Sequence, residues 1–249
     1  MNKIALIVNT VSKNKDVWEV FFDRIKKHIP DDFFINKYVF VDDSCGKIPQ
    51  DYNVVNYSTE MVYSEQFSHC IKSVSEEFCI YISEDYILHS DFQTDKVLLF
   101  KDVLKKDTNL SFVRFMRGGV YDGPFEQHSG NLFYVPINKD YFYTNQAALW
   151  RTEHLMNIHN KGPKLHIANK DWQNSFEFQA TKTCQELSMS GLFCYYGEPK
   201  RGLYHYDSIV FPHISTALVK GRWNMTEYPK EMSKMIKEYG INIKTRGWV

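Results

Sequence analysis

Phe78-Cys79-Ile80-Tyr81-Ile82-Ser83-Glu84-Asp85-Tyr86 is an apolar run of strand length that stops abruptly on two adjacent carboxylates, Glu84 and Asp85. A run apolar at every position suits a strand covered on both faces, as in a parallel sheet flanked by helices. Acidic side chains at the carboxyl edge of such a strand are the usual place for a metal–diphosphate site in an open α/β sheet. The bland alternative is a solvated turn after a strand.

The segments before it fit the same architecture. Lys3 to Asn9 (KIALIVN) reads as a first buried strand, and Asp16 is placed to cap a helix whose inward face is Trp18, Phe21, Phe22, Ile25 and Ile29. Lys37 to Val41 (KYVFV) is a second strand closed by Asp42, Asp43 and Ser44, and Asn53 to Tyr57 a weaker third. Tyr63, Phe67, Ile71, Val74 and Phe78 follow helical spacing into the acidic-ended strand. Val97 to Leu104 reads as a helix and Leu110 to Met116 as a strand, so the order is β-α-β-β-α-β-α-β.

From Arg117 to Tyr143 the chain turns to Gly, Pro and aromatic residues without a clear period, which suits a functional loop or a small antiparallel excursion. Its aromatics Tyr121, Phe125, Phe133 and Tyr134 are candidates for a platform under a ligand ring or for loop anchors. Thr144 is expected to cap a helix through Ile158, putting Gln146 and Trp150 on it, and Asn174 to open another to about Met189. Leu192 to Tyr196 and Leu203 to Phe211 are β-rich; Pro229 to Tyr239 is a last amphipathic helix ended by Gly240.

Composition narrows the function classes. With 249 residues, 43% hydrophobic, the chain can bury a full core as one domain. Lys+Arg and Asp+Glu are 30 each, so no global field draws it to nucleic acid or anionic lipid. No apolar run reaches the roughly 18 residues of a membrane span. The expected compartment is the cytosol, with a peripheral place at the inner face of a membrane as an alternative. Cys45, Cys70, Cys79, Cys184 and Cys194 show no paired spacing and read as reduced core thiols. GxxxxGK[ST], HExxH, GxSxG and GxGxxG are all missing, which leaves P-loop, zinc-protease, esterase and dinucleotide readings without their central residues.

Four places, IALIVNT (4–10), YVFVDDS (38–44), FCIYISEDY (78–86) and NQAALWRTEHL with NSFEFQA (145–155 and 174–180), resemble the GT-A type glycosyltransferases, particularly their small bacterial or viral members. The resemblance implies a single GT-A-like, Rossmann-like α/β domain over residues 1–249, with a mainly parallel central sheet and a smaller antiparallel excursion. Residues 1–116 would form its nucleotide-binding half and residues 117–249 its acceptor-binding half. It implies transfer of a sugar from a nucleoside-diphosphate donor to a carbohydrate acceptor, in surface polysaccharide or glycan synthesis.

The resemblance also suggests roles. Asn9, Thr10, Asp42 and Asp43, at the first two strand tips, would meet base and ribose; Asp-Asp-Ser as a plain turn is the alternative. The family's strand-end motif is usually Asp-x-Asp, holding Mg²⁺ or Mn²⁺ on the diphosphate. Here Asp85 is the metal candidate beside Glu84, and Tyr86 stands where a second acid is usual. Glu177 is the candidate base, with Asp171 as its alternative and an Asn174-x-x-Glu177 capping box as the structural rival. His205 is placed as a metal ligand, and Arg201 and Arg222 as cations over the diphosphate. Two other readings stay open: a sugar nucleotidyltransferase, though NTVSKNKD (9–16) lacks the expected glycines, and a non-catalytic nucleotide-sugar or carbohydrate-binding module.

Overall fold

The computed structural model describes residues 4–119, 123–166 and 172–249. Its strands are Ile4–Asn9 (β1), Asn36–Val41 (β2), Asn53–Asn56 (β3), Phe78–Ser83 (β4), Ile87–Leu88 (β5), Leu110–Arg114 (β6), Gln127–Ser129 (β7), Leu132–Tyr134 (β8), Ala148–Arg151 (β9), Ser190–Cys194 (β10), His213–Ile214 (β11), Leu218–Val219 (β12) and Arg222–Trp223 (β13). The helices are Trp18–His28 (α1), Tyr63–Cys70 (α2), Thr94–Lys106 (α3), Thr152–Lys161 (α4), Phe176–Glu186 (α5) and Pro229–Tyr239 (α6).

The large sheet has the order β3-β2-β1-β4-β9-β6-β10-β8-β7. The first four strands in that order are parallel, and β6 and β10 run in the same direction. Strand β9 runs against both neighbours between β4 and β6. Two small antiparallel pairs, β5 with β11 and β12 with β13, lie outside this sheet. The expected mixed α/β class with a mainly parallel sheet therefore holds.

Alternation along β1 explains why both faces are covered. Ile4, Leu6 and Val8 join α1 and α3 residues such as Trp18, Phe21 and Phe100 in one core; Ala5 and Ile7 join Phe67, Leu155 and Phe176 of α2, α4 and α5 in the other. A third cluster, with Val20, Trp223, Met232 and Met235, seats α6 against α1. Strand β10 reaches β6 because position 191 is glycine: a Cβ there would lie 2.3 Å from the Phe112 ring.

Several sequence expectations are corrected. Helix α1 begins at Trp18 after Val17, and Asp16 instead pairs with Arg246. The helix expected from Thr144 is strand β9 followed by α4, so Trp150 is a buried sheet residue. Helix α5 starts at Phe176 with Ser175 as its cap residue; Asn174 belongs to a preceding 3₁₀ turn. Leu203 to Phe211 forms no strand, only isolated bridges. Cys45 is exposed in the turn after β2, whereas the other four thiols are buried. Helix α6 matches its expected limits, and Gly240 closes it with φ 61°. Among the described residues no helix is long and apolar enough to cross a membrane.

Candidate functional site

Register brings the strand tips level. Asn9 sits beside Phe40 of β2 and Ser83 of β4, so Thr10, Asp42 and Glu84 all follow the same sheet edge. Thr10 is fixed there: its Oγ1 accepts from Trp18 Nε1 at 2.7 Å and its carbonyl from Tyr57 Oη at 2.6 Å. Asp42 takes the Ser12 N–H at 2.6 Å and the Ser12 hydroxyl at 2.7 Å, holding the 3₁₀ turn after β1. Asp43, exposed, accepts from Cys45 N at 2.8 Å in a turn of its own.

The two strand-end acids differ. Glu84 is 6% exposed and accepts from Asn14 Nδ2. Burial raises its pKa, while Asn14 and Thr10 pull it back. Asp85 is partly buried, and no side chain among the described residues pairs with its carboxylate. Burial and the neighbouring Glu84 hold its proton affinity well above the ordinary carboxylate range.

Glu177 stands in the first turn of α5, but it does not cap that helix. Its Oε1 accepts from Asn145 N at 2.7 Å. Asn145 is a hub: its carbonyl accepts from Tyr86 Oη at 2.7 Å, and its side-chain oxygen from Tyr143 Oη at 3.0 Å and Tyr63 Oη at 3.3 Å. The antiparallel course of β9 explains this placement. Tyr81 pairs with Ala148, so the residues just before β9 run beside the end of β4. The base candidate is thereby tied to the residue that follows Asp85. Burial raises the Glu177 pKa, with the Asn145 N–H and Arg114 acting the other way.

Glu177 and Tyr86 open on a cavity of about 560 Å³, also lined by Arg114, Gln146, His205, His213 and Glu227. Arg114 donates to Phe142 O at 2.8 Å. His205 lies against the Tyr228 ring and 3.8 Å from Glu227 Oε2; burial and Arg201 depress its pKa to about 4, so it is neutral at pH 7. A larger cavity, about 1240 Å³, runs along α1 and the loop after β2, away from Asp85 and Glu177.

The remaining candidates fall elsewhere. Arg201 is paired with Asp207 at 3.3 Å and with Glu231, its guanidinium over Tyr228. Arg222 is exposed on β13. Asp171 and Tyr121 lie outside the described residues. The sequence reading missed Asn14, Asn145 and Arg246. Arg246, from the C-terminal segment, bonds Asp16, Lys13 O at 3.1 Å and Asn14 Oδ1 at 3.1 Å, bracing the turn that supports Glu84.

Among the described residues no three His, Cys, Asp or Glu side chains converge to hold a metal ion, so His205 does not join Asp85 in such a group. A cage is not the only way to hold a hard cation. Mg²⁺ is commonly bound by one or two carboxylates with substrate phosphates and water completing its shell. Asp85, crowded by Glu84 and without a cationic partner among the described residues, fits that mode.

No protein-family model and no curated protein matches the chain. Two of the solved structures that share part of its course show how low the likeness is. One is a CMP:2-keto-3-deoxy-manno-octonic acid synthetase complexed with CTP, at 8% identity and TM-score 0.45, covering 76% of this chain and 88% of that one. The other is a mannosyltransferase from Pyrobaculum calidifontis in complex with GDP-Man and Mn²⁺, at 12% identity and TM-score 0.47, covering 81% of this chain and 58% of that one. Likenesses this low have no bearing on what this chain does.

Proposed function

We propose that this protein is a glycosyltransferase that moves a sugar from a nucleoside-diphosphate donor to a carbohydrate acceptor. One observation carries the reading: a carboxylate suited to be a base, Glu177, is fixed through Asn145 and Tyr86 beside the acidic tip of a parallel sheet. Residues 1–116 receive the nucleotide, with Asn9, Asp42 and Asp43 at the strand tips meeting base and ribose and the buried Thr10 fixing the backbone beside them, and residues 117–249 the acceptor. Asp85 would hold Mg²⁺ or Mn²⁺ at the diphosphate, and the ion would offset negative charge on the leaving group.

Glu177 removes the acceptor hydroxyl proton as that oxygen attacks the anomeric carbon, the bond from this carbon to the diphosphate oxygen breaks, and the nucleoside diphosphate leaves with the electron pair. One of its oxygens is held by Asn145 N–H, and the other has no protein partner among the described residues. Its raised pKa brings the base nearer to the working pH than an exposed glutamate would be. Direct displacement with inversion is the course this arrangement favours.

The test is a thermal-shift screen of UDP, GDP, CMP and dTDP sugars, followed by product analysis of the best donor. Glu177→Gln should keep donor-induced stabilisation while transfer falls about 10²- to 10⁴-fold, the usual worth of a general base. Full turnover in Glu177→Gln would remove the role.

A further inference from the structure

The cavity beside Glu177 has a polar wall that the fold itself does not satisfy. Gln146 Oε1, His205 Nε2, His213 Nε2 and Glu227 Oε2 are buried there and lack a hydrogen-bond partner among the described residues. Buried polar atoms are nearly always paired, so four around one cavity point to a ligand. Their chemistry says what kind. His213, 2% exposed, must donate from Nδ1 to the Phe211 carbonyl, which leaves its Nε2 as an acceptor. Gln146 donates from Nε2 to Tyr204 O at 3.5 Å, leaving its amide oxygen to accept. His205 Nε2 and Glu227 Oε2 stand 3.8 Å apart, too far to bond each other and close enough for one hydroxyl to touch both.

Three of the four atoms are thus acceptors seeking O–H or N–H donors. The mouth adds an aromatic face. Tyr204 is 59% exposed and neighbours Leu203, yet its backbone is pinned by Gly119 N at 2.7 Å. Only glycine allows that approach, since a Cβ at position 119 would meet Leu203 O at 2.7 Å. Tyr141 holds a left-handed conformation, φ 61°, and lines the same cavity as Glu177 and Tyr204. Strained backbone of this kind gathers at ligand sites.

We propose that this cavity is the acceptor subsite and takes a pyranose, its apolar face on Tyr204 and its hydroxyls on Gln146, His213 and the His205–Glu227 pair. The assignment rests on the glycosyltransferase reading and places the acceptor hydroxyl next to Glu177. Saturation-transfer NMR with maltose, cellobiose and lactose tests it on the intact protein, with nucleotide binding followed separately by thermal shift.

At least one disaccharide should bind, and Tyr204→Ala and Glu227→Gln should each weaken it about tenfold, the effect of one lost contact of this class, with nucleotide stabilisation kept. The exposed position of Tyr204 makes its variant safe for folding. Absence of binding for all three sugars, or equal binding in both variants, overturns the subsite. Displacement of the disaccharide by a nucleotide sugar but not by the free nucleotide assigns the cavity to the donor's own sugar and overturns the acceptor role. Sugar binding without any nucleotide binding leaves a pyranose site standing but removes the transferase reading and with it the acceptor role.

Discussion

Asp85, the proposed diphosphate anchor, occupies its place at the expense of stability. Burial beside Glu84 raises its pKa, so the folded chain holds this proton more tightly than the unfolded chain does. The stability linked to that proton is present below the ordinary carboxylate pKa and is lost as pH rises through the raised value. At pH 7 without metal, Asp85→Asn should therefore raise Tm by roughly 2–4 °C, the equivalent of ~1 kcal/mol in a chain of this size. The gap should close as pH falls toward about 4, where the wild-type carboxyl is protonated. Differential scanning calorimetry across pH checks this, and a lower Tm for the variant at pH 7 would mean that the carboxylate has a stabilising partner. The acids themselves were legible because they end an apolar run. Asn145 was not, since its role depends on partners such as Glu177 and Tyr86 that no local pattern joins to it.

Among the elements, β9 is the most instructive. Ala147, Trp150 and His154 have helical spacing, yet Ala148–Arg151 is drawn into the sheet between β4 and β6, where Leu149 and Trp150 are buried. A run of four residues carries both periods, and the open edges of the neighbouring strands decide between them. Helix α6 is the opposite case: Pro229 at its start and Gly240 at its end fix its limits locally. Gly191 is an element-level requirement too. Gly191→Ala forces a methyl into the Phe112 ring and should cost about 1–3 kcal/mol, the usual range for overpacking. Urea denaturation reads this directly; an unchanged midpoint would show that β10 can move away from β6 without loss.

At the scale of the molecule, the β-α-β-β-α-β-α-β order of the first 116 residues foretold the parallel block and its level strand tips. The second half was less legible, because its short strands and loops take their positions from what they cross. Arg246, near the C-terminus, reaches the turn after β1, and Glu177 reaches the loop before β9, so the proposed site is assembled from distant parts of the chain. The account's central claim is that a nucleoside diphosphate is anchored at the end of β4 by Asp85 through a divalent ion. Isothermal titration of UDP, GDP, CDP and dTDP with and without Mn²⁺ tests it in wild type and Asp85→Asn. The account predicts that at least one nucleotide binds more tightly with Mn²⁺ and that Asp85→Asn abolishes this dependence; absence of binding, or binding indifferent to both the ion and the substitution, would contradict it.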